Sequence, residues 1–219
     1  SAFNSTAKTL TIGGTFTADD KSYDGAASAT IGSNNLTLVG LVTGTDSVDI
    51  SPVISFADGT LGAGKTVSIQ NTSTLTGVHA ANYTLDVTGA PTTTAEIKTK
   101  ELSVAGSFTV NDRTYDATTD ATIATNSLTL SGVVGSEVVT LDPPTAGFAD
   151  KNVGTGKTVS LSGLTLSGAD AGNYTVTATG APTTTAAITA KSVTIGGAFT
   201  VSDKIYDAGV SATIATNTL

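Results

Sequence analysis

A nine-residue stretch, Phe16-Thr-Ala-Asp-Asp-Lys-Ser-Tyr23-Asp24, decides the fold because the chain contains it three times. It returns as Phe108-Thr-Val-Asn-Asp-Arg-Thr-Tyr115-Asp116 and as Phe199-Thr-Val-Ser-Asp-Lys-Ile-Tyr206-Asp207. The tyrosines stand at positions 23, 115 and 206, so the spacing is 92 and then 91 residues. Self-similarity at a nearly fixed period is the sequence signature of tandem repeats.

Further matches extend the repeat over almost the whole chain. Phe56-Ala-Asp58 matches Phe148-Ala-Asp150, and Gly89-Ala-Pro-Thr-Thr-Thr-Ala95 matches Gly180-Ala-Pro-Thr-Thr-Thr-Ala186. We therefore predict one module over residues 1–100, a second over 101–191 and a partial third over 192–219. About thirty residues cannot bury a core alone, so we expect the partial repeat to pack on the second module or on a neighbouring chain. One alternative stays open, a structural module that is shifted from the sequence repeat and borrows the Phe–Tyr segment of the next unit.

Short runs that alternate apolar and polar residues predict β-strands. Leu10-Thr-Ile12, Val67-Ser-Ile69 and Tyr83-Thr-Leu85 have a period of two, which places one side of a strand on a core and the other in water. Thr, about a fifth of the chain, suits strands, and Gly, Asn, Asp and Ser supply the turns. The pattern predicts an all-β fold of tandem small β-sandwich or β-grasp-like modules in an elongated rod. At most we expect a short helical turn, near 78–81 or near 25–28.

The phenylalanine and tyrosine residues are the predicted core. All of them except Phe3 occupy positions that recur between repeats, and so few large side chains are needed to anchor each module. Tyr83 and Tyr174 begin alternating strands, so we expect them to face inward with their hydroxyl groups bonded at the rim. Gly25 is replaced by alanine in the other two repeats, which predicts a position that needs a small residue rather than a positive φ.

Composition excludes several classes of function. A net charge of -8 repels phosphate groups, so nucleic acid and anionic membrane surfaces are not expected partners. No apolar stretch approaches membrane-spanning length, so we expect no membrane insertion by this segment. The chain has no cysteine, which removes disulfides, zinc–thiolate sites and thiol nucleophiles and is compatible with export through an oxidising compartment.

One segment matches a nucleotide-binding pattern by its letters. Gly59-Thr-Leu-Gly-Ala-Gly-Lys65-Thr66 satisfies GxxxxGK[ST], whose chemistry requires a helix after the loop to hold phosphate. An alternating strand, Val67-Ser-Ile69, follows instead, and the second repeat has Lys151 where Gly59 stands. We interpret the segment as a glycine-rich turn that leads into a strand.

Polar residues near the repeated stretch raise further site hypotheses. Calcium takes about six to eight oxygen ligands, but the aspartates here lack a DxDxDG ladder, so turn roles are favoured. His79, the only histidine, has Asp170 as its counterpart and is interpreted as an exposed loop residue. We predict no catalytic, cofactor-binding or metal-binding residue and no cofactor. The aspartates considered as calcium ligands, all near the repeated stretch, are Asp19, Asp20, Asp24, Asp112, Asp116, Asp120, Asp203 and Asp207. Formal candidates for isopeptide cross-links are Lys65 with Asn82 and Lys157 with Asn173.

The Tyr23-Asp24-Gly25 signature resembles the YDG/MBG-type repeats of large bacterial surface proteins. Phe148-Ala-Asp-Lys-Asn-Val-Gly-Thr-Gly-Lys-Thr-Val159 and Gly168-Ala-Asp-Ala-Gly-Asn-Tyr174 support the resemblance, which spans nearly all of both complete units. The second and third repeats depart from it by reading Tyr-Asp-Ala. Such repeats are similar to those of filamentous-haemagglutinin-like adhesins and autotransporter-like proteins. The resemblance implies an extracellular location, at the bacterial cell surface or secreted.

The resemblance also implies a non-catalytic role, as a stalk or spacer in an adhesin that attaches the cell. Neighbouring repeats of the same chain are then the expected partners. The alternative is that the repeats themselves bind glycans or host matrix proteins, which requires exposed aromatic rings or a concave polar patch in each unit. An enzyme would need one repeat to carry a constellation that the other lacks, and the sequence contains none.

Overall fold

The structure, a computed structural model, describes residues 6–42 and 44–219. Strands form nearly all of its regular structure and are grouped into several small sheets. The prediction of an all-β fold built from tandem small modules is confirmed. Within the described ranges, no helix has the length and apolar character needed to cross a membrane.

Two single 3-10 turns are the helical elements of the described chain, Ala80–Asn82 and Ala171–Asn173. Each leads directly into a strand that begins with a tyrosine. The first turn overlaps the turn predicted near 78–81. The alternative location near 25–28 forms no helix and holds one isolated β-bridge instead.

The first module, residues 6–98, contains two sheets and a small ribbon. Its strands are β1 (Lys8–Ala18), β2 (Lys21–Ser22), β3 (Ile31–Val39), β4 (Asp49–Ser51), β5 (Ile54–Phe56), β6 (Gly62–Ile69), β7 (Thr74–Thr76), β8 (Tyr83–Asp86) and β9 (Thr92–Lys98). One sheet has the order β3-β1-β8, in which β1 and β8 are parallel. The other has the order β2-β9-β6-β5, in which only β2 and β9 are parallel. Strands β4 and β7 form the ribbon.

The second module, residues 100–189, repeats this arrangement. Its strands are β10 (Lys100–Val110), β11 (Arg113–Thr114), β12 (Asp120–Ala121), β13 (Ile123–Ser131), β14 (Thr140–Leu141), β15 (Thr145–Phe148), β16 (Gly154–Ser162), β17 (Leu166–Ser167), β18 (Tyr174–Val176) and β19 (Thr184–Thr189). The sheets have the orders β13-β10-β18 and β11-β19-β16-β15-β12, and β14 pairs with β17.

Each module buries apolar side chains between its two sheets. In β1 the side chains of Ile12 and Phe16 are buried in this core, while β5, β6 and β9 supply the facing residues. The core role predicted for the aromatic residues is confirmed in both modules, where all are buried except the half-buried Tyr115. Phe3 lies outside the described residues. The buried aromatic residues are Phe16, Tyr23, Phe56, Tyr83, Phe108, Phe148 and Tyr174.

Each module keeps the Phe–Tyr segment of its own repeat. Phe16 and Tyr23 lie in the core of the first module, and Phe108 lies in the core of the second. The structure therefore does not have the alternative arrangement, in which a module is shifted from the sequence repeat and borrows the Phe–Tyr segment of the next unit. Between β9 and β10 there is one residue, Thr99, so the two modules follow each other with almost no slack.

The third segment, residues 191–219, does not pack on the second module as expected. Strands β20 (Phe199–Val201) and β21 (Ile214–Asn217) pair with each other, and every residue of the segment is exposed. Val193 is 89% exposed, whereas its equivalents in the two modules are fully buried. The segment contains counterparts of β1 and β3 but none of β5, β6 and β9, so no second sheet covers its apolar residues. Packing on a neighbouring chain stays a prediction.

The residue after each Tyr-Asp pair adopts a left-handed conformation. Gly25 has a φ of 76°, and the alanines at the equivalent positions, Ala117 and Ala208, have φ values of 70° and 58°. The prediction that this position needs only a small residue, and no positive φ, is wrong. The preceding aspartate of each repeat accepts the N–H two residues farther on at 2.9 Å. This local turn offsets the cost of a left-handed alanine.

Candidate functional site

The two modules meet through the tyrosine of the repeated stretch. Tyr23 follows β2 directly, and its N–H donates to the carbonyl oxygen of Lys98 at 2.8 Å. Its ring packs edge-on against the ring of Tyr174 in the second module, with centroids 5.8 Å apart and planes at 85°. Both tyrosine side chains are buried. The junction is therefore a defined contact between modules, built from a side chain of each.

Glu137 joins the two tyrosines through its carboxylate. The Tyr23 hydroxyl donates to Oε1 and the Tyr174 hydroxyl donates to Oε2, each at 2.5 Å. The Tyr174 oxygen also accepts the N–H of Val134 at 3.0 Å. Hydrogen bonds to an ionised carboxylate are shorter and stronger than those between neutral groups. We call Tyr23, Glu137 and Tyr174 the tyrosine–glutamate clamp.

An apolar contact continues beside the clamp. Leu102, fully buried near the start of β10, and Tyr174 belong to the same cluster of buried side chains as the core of the first module. Partly buried residues of the second module pack against this cluster, namely Leu130, Val133, Val134, Val139 and Leu166. The core of the first module is therefore continuous with the near end of the second.

The corresponding end of the first module has the same local arrangement. Here Leu10, Val48 and Tyr83 form a separate small buried cluster. The Tyr83 hydroxyl donates to Asp46 Oδ2 at 2.6 Å and accepts the N–H of Val42 at 3.2 Å. Asp46 thus stands where Glu137 stands in the second module. The prediction that both strand-initial tyrosines face inward with hydroxyls bonded at the rim is confirmed.

Two ion pairs hold the loop that presents Tyr23. Lys21 Nζ contacts Asp24 Oδ1 at 2.7 Å and donates to two loop carbonyl oxygens at 2.8 and 3.0 Å. Asp20 accepts the N–H of Glu96 at 2.8 Å and the amine of Lys98 at 2.9 Å. The Lys98 amine, followed by the Glu96 N–H, lowers the pKa of Asp20. These contacts fix the loop to β9, the strand that leads into the junction.

The clamp shifts the pKa of each of its members. Hydrogen bonds from Tyr174 and Tyr23 lower the pKa of Glu137 below its ordinary value of 4.5. The Glu137 carboxylate, with burial as the second cause, raises the pKa of Tyr23 from 10.0 to about 12. Burial, with the same carboxylate second, raises the pKa of Tyr174. The arrangement therefore requires an ionised glutamate and two neutral tyrosines.

The clamp is expected to weaken at both ends of the pH scale. Because the pKa of Glu137 is lowered on folding, its contribution is complete above pH 4.5 and is lost as pH falls through the lowered value. Because the pKa of Tyr23 is raised, its contribution is complete below pH 10.0 and is lost as pH rises towards 12. Titration of tyrosinate absorbance should show late-ionising tyrosines whose pKa falls in Glu137→Gln. Identical titrations of the two proteins would contradict the clamp.

Tyr23→Phe is expected to uncouple the two modules. The ring that packs on Tyr174 is kept, but the hydroxyl that binds Glu137 is removed, so the modules should melt in two transitions in place of one. Scanning calorimetry measures this. Tyr115→Phe is the matched control, because this tyrosine holds the same position in the second module, which no complete module follows in this chain. The same single transition in both variants would show that the clamp does not couple the modules.

Of the aspartates considered from the sequence, Asp120 lies in β12 and the others lie between strands. The aspartates that follow the repeated tyrosines each pair with a basic residue three positions earlier, and Asp112 accepts the N–H of Ala187 at 2.7 Å. Among residues 6–42 and 44–219, no three acidic, histidine or cysteine side chains are grouped to hold a metal ion. The pairs are Lys21–Asp24, Arg113–Asp116 and Lys204–Asp207.

The segment that matches the nucleotide-binding pattern is a turn into β6. This confirms its interpretation as a glycine-rich turn that leads into a strand. Lys65 Nζ, which would bind phosphate in that pattern, contacts Asp58 Oδ1 at 2.6 Å. Lys157 makes the same contact with Asp150 at 2.5 Å. The amines named as formal isopeptide candidates are therefore paired with aspartates at this turn in both modules.

His79 and its counterpart Asp170 make equivalent hydrogen bonds. His79 was predicted to be exposed but is half-buried, and its Nδ1 accepts the N–H of Ser47 at 2.9 Å. Asp170 Oδ2 accepts the N–H of Val138 at 2.8 Å. Both donors directly follow the acidic residue that binds the inward tyrosine. Either side chain supplies an acceptor for this loop, so the two repeats keep an equivalent hydrogen bond although the residue differs.

His79→Asp is therefore expected to retain the bond to Ser47, whereas His79→Ala removes it. Since one hydrogen bond at a half-buried site is lost, we expect the alanine variant to lose about 1 kcal/mol of unfolding free energy and the aspartate variant to lose less. Thermal denaturation of the three proteins under one buffer condition measures the difference. Equal destabilisation by alanine and aspartate would mean that the acceptor does not stabilise the loop.

No sequence motif singles out Glu137 or Asp46. The inward tyrosines were predicted to need hydrogen-bond partners at the rim. Each repeat has an acidic residue in the loop after β3 or β13, and this residue was the available candidate. The loop that carries Asp46 is one residue longer than the loop that carries Glu137, so the repeat spacing does not align the two acidic residues. Val42 and Val134 are 92 positions apart, whereas Asp46 and Glu137 are 91 apart.

Comparison with known families agrees with the modules. A family model described as the YDG domain matches the chain twice, at residues 6–95 and 98–186. No curated protein and no solved structure is significantly similar to it. The two matches account for most of the chain and follow the boundaries of the two modules closely. The chain therefore belongs to the YDG domain family.

Proposed function

We propose that this chain is a non-catalytic stalk or spacer segment of a bacterial adhesin, located at the cell surface or secreted. The observation that carries the proposal is the junction. One residue, Thr99, separates the last strand of the first module from the first strand of the second, and buried side chains of both modules form one cluster across it. Modules joined in this way hold a fixed geometry, and the length of the array grows with the number of repeats.

The contacts of the polar residues support a structural role. Carboxylates and lysines that could act chemically are engaged in turns and ion pairs, and the same contacts recur in both modules. A net charge of -8 favours a soluble segment that repels copies of itself. The family resemblance supports the extracellular location, and the partners in this proposal are neighbouring repeats of the same chain.

Rigidity of the junction tests the proposal. Single-molecule energy transfer between dyes placed on the two modules should give one narrow distance distribution. Insertion of a Gly-Ser-Gly-Ser segment after Thr99 removes the short connection and should broaden that distribution. The matched control inserts the same segment in the exposed turn after Gly180, inside the second module, and should leave the distribution between modules narrow. A wild-type distribution as broad as that of the Thr99 insertion would contradict a spacer role.

A polar cavity favours a second candidate function, the binding of glycans or matrix proteins. It has a volume of about 450 Å³, lies beside the tyrosine loop of the second module and offers carboxylate, guanidinium and hydroxyl groups. Residues lining it include Asp112, Arg113, Asp116, Thr118, Asp120 and Thr122. A binding screen of the whole chain against glycans and matrix proteins tests this candidate. Saturable binding that Asp120→Ala abolishes would support it, and no binding by the folded chain would leave the spacer proposal.

A further inference from the structure

The first and last strands of each module are interior strands of two different sheets. In the second module β10 lies between β13 and β18 in one sheet, and β19 lies between β11 and β16 in the other. In the first module β1 and β9 hold the equivalent places, between β3 and β8 and between β2 and β6. The chain therefore enters and leaves each module through a strand that has a neighbour on both sides.

These two strands place the entry and the exit of the chain at opposite ends of the module. Strand β10 begins at Lys100, which pairs with Tyr174 at the start of β18. Just after β10 ends, Asp112 accepts the N–H of Ala187 in β19 at 2.7 Å, and β11 pairs in parallel with the end of β19. The end of β19 therefore lies beside the end of β10, about 35 Å from its beginning for a strand of 11 residues.

Tension along the chain would load these strands along their own length. It pulls β10 by its first residue and β19 by its last residue, in opposite directions, so each strand must slide past its neighbours. Residues 100–102 of β10 pair with β18 and residues 103–110 pair with β13, so the whole strand is held. Hydrogen bonds in an antiparallel pair lie across the strands, so sliding strains them together, whereas a pull across the pair breaks them one after another.

Strand β19 is the weaker of the two loaded strands of the second module. It has 6 residues, and its ladder with β16 contains a register shift between Gly154 and Lys157. Ile188, close to the point where the pull is applied, pairs with Gly154 on one side and with Arg113 on the other. Its side chain is 2% exposed, in the core of the module. Ile188 therefore holds β19 at the end that is pulled first.

The connection between modules passes tension directly from one module to the next. Strand β9 ends at Lys98 and β10 begins at Lys100, so Thr99 alone lies between two loaded strands. The Lys98 carbonyl oxygen accepts the N–H of Tyr23, and the Lys98 amine contacts Asp20 at 2.9 Å, so the end of β9 is also tied to the loop after β1. Tension therefore reaches the strand pairs with almost no slack to absorb it.

We propose that each module bears tension along the chain, carried by β10 and β19 in the second module and by β1 and β9 in the first. The inference deepens the proposed stalk role, because a stalk is pulled along its length whenever the bodies that it joins move apart. A module can lengthen only after one of these strands slides or detaches. Since the rate of unfolding governs resistance to force, the pairing of these strands sets that resistance.

Single-molecule force spectroscopy of the full chain compares two directions of pull, with handles on introduced cysteines, because the chain has none of its own. Thr99→Cys with Lys191→Cys applies tension along the second module. Ser162→Cys with Thr183→Cys pulls the end of β16 away from the start of β19, across that strand pair. All four positions are exposed. At equal loading rate, the pull along the module should release roughly 300 Å of chain in one step, at a force several-fold higher than the first opening across the pair.

Two matched core variants test which strand carries the tension. Ile188→Ala and Leu161→Ala each remove a buried aliphatic side chain from the same core. Leu161 lies in β16 beyond the ladder with β19, whereas Ile188 lies in β19 itself. Denaturant unfolding should show similar losses of stability for the two variants. Ile188→Ala should nevertheless lower the unfolding force along the module markedly more than Leu161→Ala.

The handles enclose one module, so these results do not depend on the rigidity of the junction. A broad distance distribution between modules, together with a high force along the module, would contradict the stalk role and leave the bearing of tension supported. Equal forces in the two directions of pull, or equal effects of the two core variants on the force along the module, would overturn the proposal.

Discussion

Leu102→Ala is expected to lower the free energy of unfolding by about 2–5 kcal/mol and to weaken both modules. Leu102 is fully buried and belongs to the cluster that joins the core of the first module to the second. Strand β10 is held on both sides, by β13 and by β18, so the backbone cannot easily move in to fill the cavity. Denaturant unfolding, with hydrogen exchange followed separately in each module, measures the effect.

The repeat supplies two matched controls for this variant. Leu10→Ala removes the equivalent side chain, also fully buried, but from the small cluster that belongs to the first module alone. It should cost a similar free energy while leaving protection of the second module unchanged. Val193→Ala alters the equivalent position of the third segment, which is 89% exposed, and should have almost no effect. If Leu102→Ala weakens only the second module, the two cores do not act as one.

Gly106→Ala is expected to destabilise the second module by about 2–5 kcal/mol, from a strained backbone together with a steric clash. Gly106 has a φ of 89° and lies in β10 opposite β13. A Cβ at this position would lie 2.2 Å from the carbonyl oxygen of Ser127 and 3.1 Å from Leu128 Cα. Both contacts are with backbone, so the strands must separate. Thermal and denaturant unfolding of the variant measures the loss.

Gly156→Ala separates the two causes in the same module. Gly156 has a φ of 61°, but a Cβ there would meet no atom within 4 Å. The unfolding free energy of this variant should fall only by the cost of a left-handed alanine, about 1–2 kcal/mol. The difference between the two variants measures the steric part. A loss in Gly106→Ala no larger than that in Gly156→Ala would mean that β10 and β13 separate without cost.

The clamp requires a fixed spacing between the two modules of this chain. Tyr23 of the first module must meet Glu137 and Tyr174 of the second, and one residue connects the two modules. In a stalk this contact sets the angle between successive modules.

Local patterns in the sequence were sufficient for the class of fold and for most of the core. Alternation of apolar and polar residues is a property of neighbouring positions, so it identified strands without knowledge of their partners. Recurrence placed the core aromatic residues, because a side chain that anchors one module must anchor the next. The inward orientation of Tyr83 and Tyr174, and the family itself, followed from the same repeated motifs.

Tertiary structure decided what depends on residues far apart in the chain. The partner of Tyr23 is Glu137, in a loop of the next module, and no local pattern links the two. The left-handed conformation of Ala117 follows from a closed set of turn contacts that overrides the preference of alanine. The exposure of the third segment follows from the lack of a second sheet over it. Hydrophobic burial needs two surfaces, and the sequence of one repeat determines only one surface of each junction.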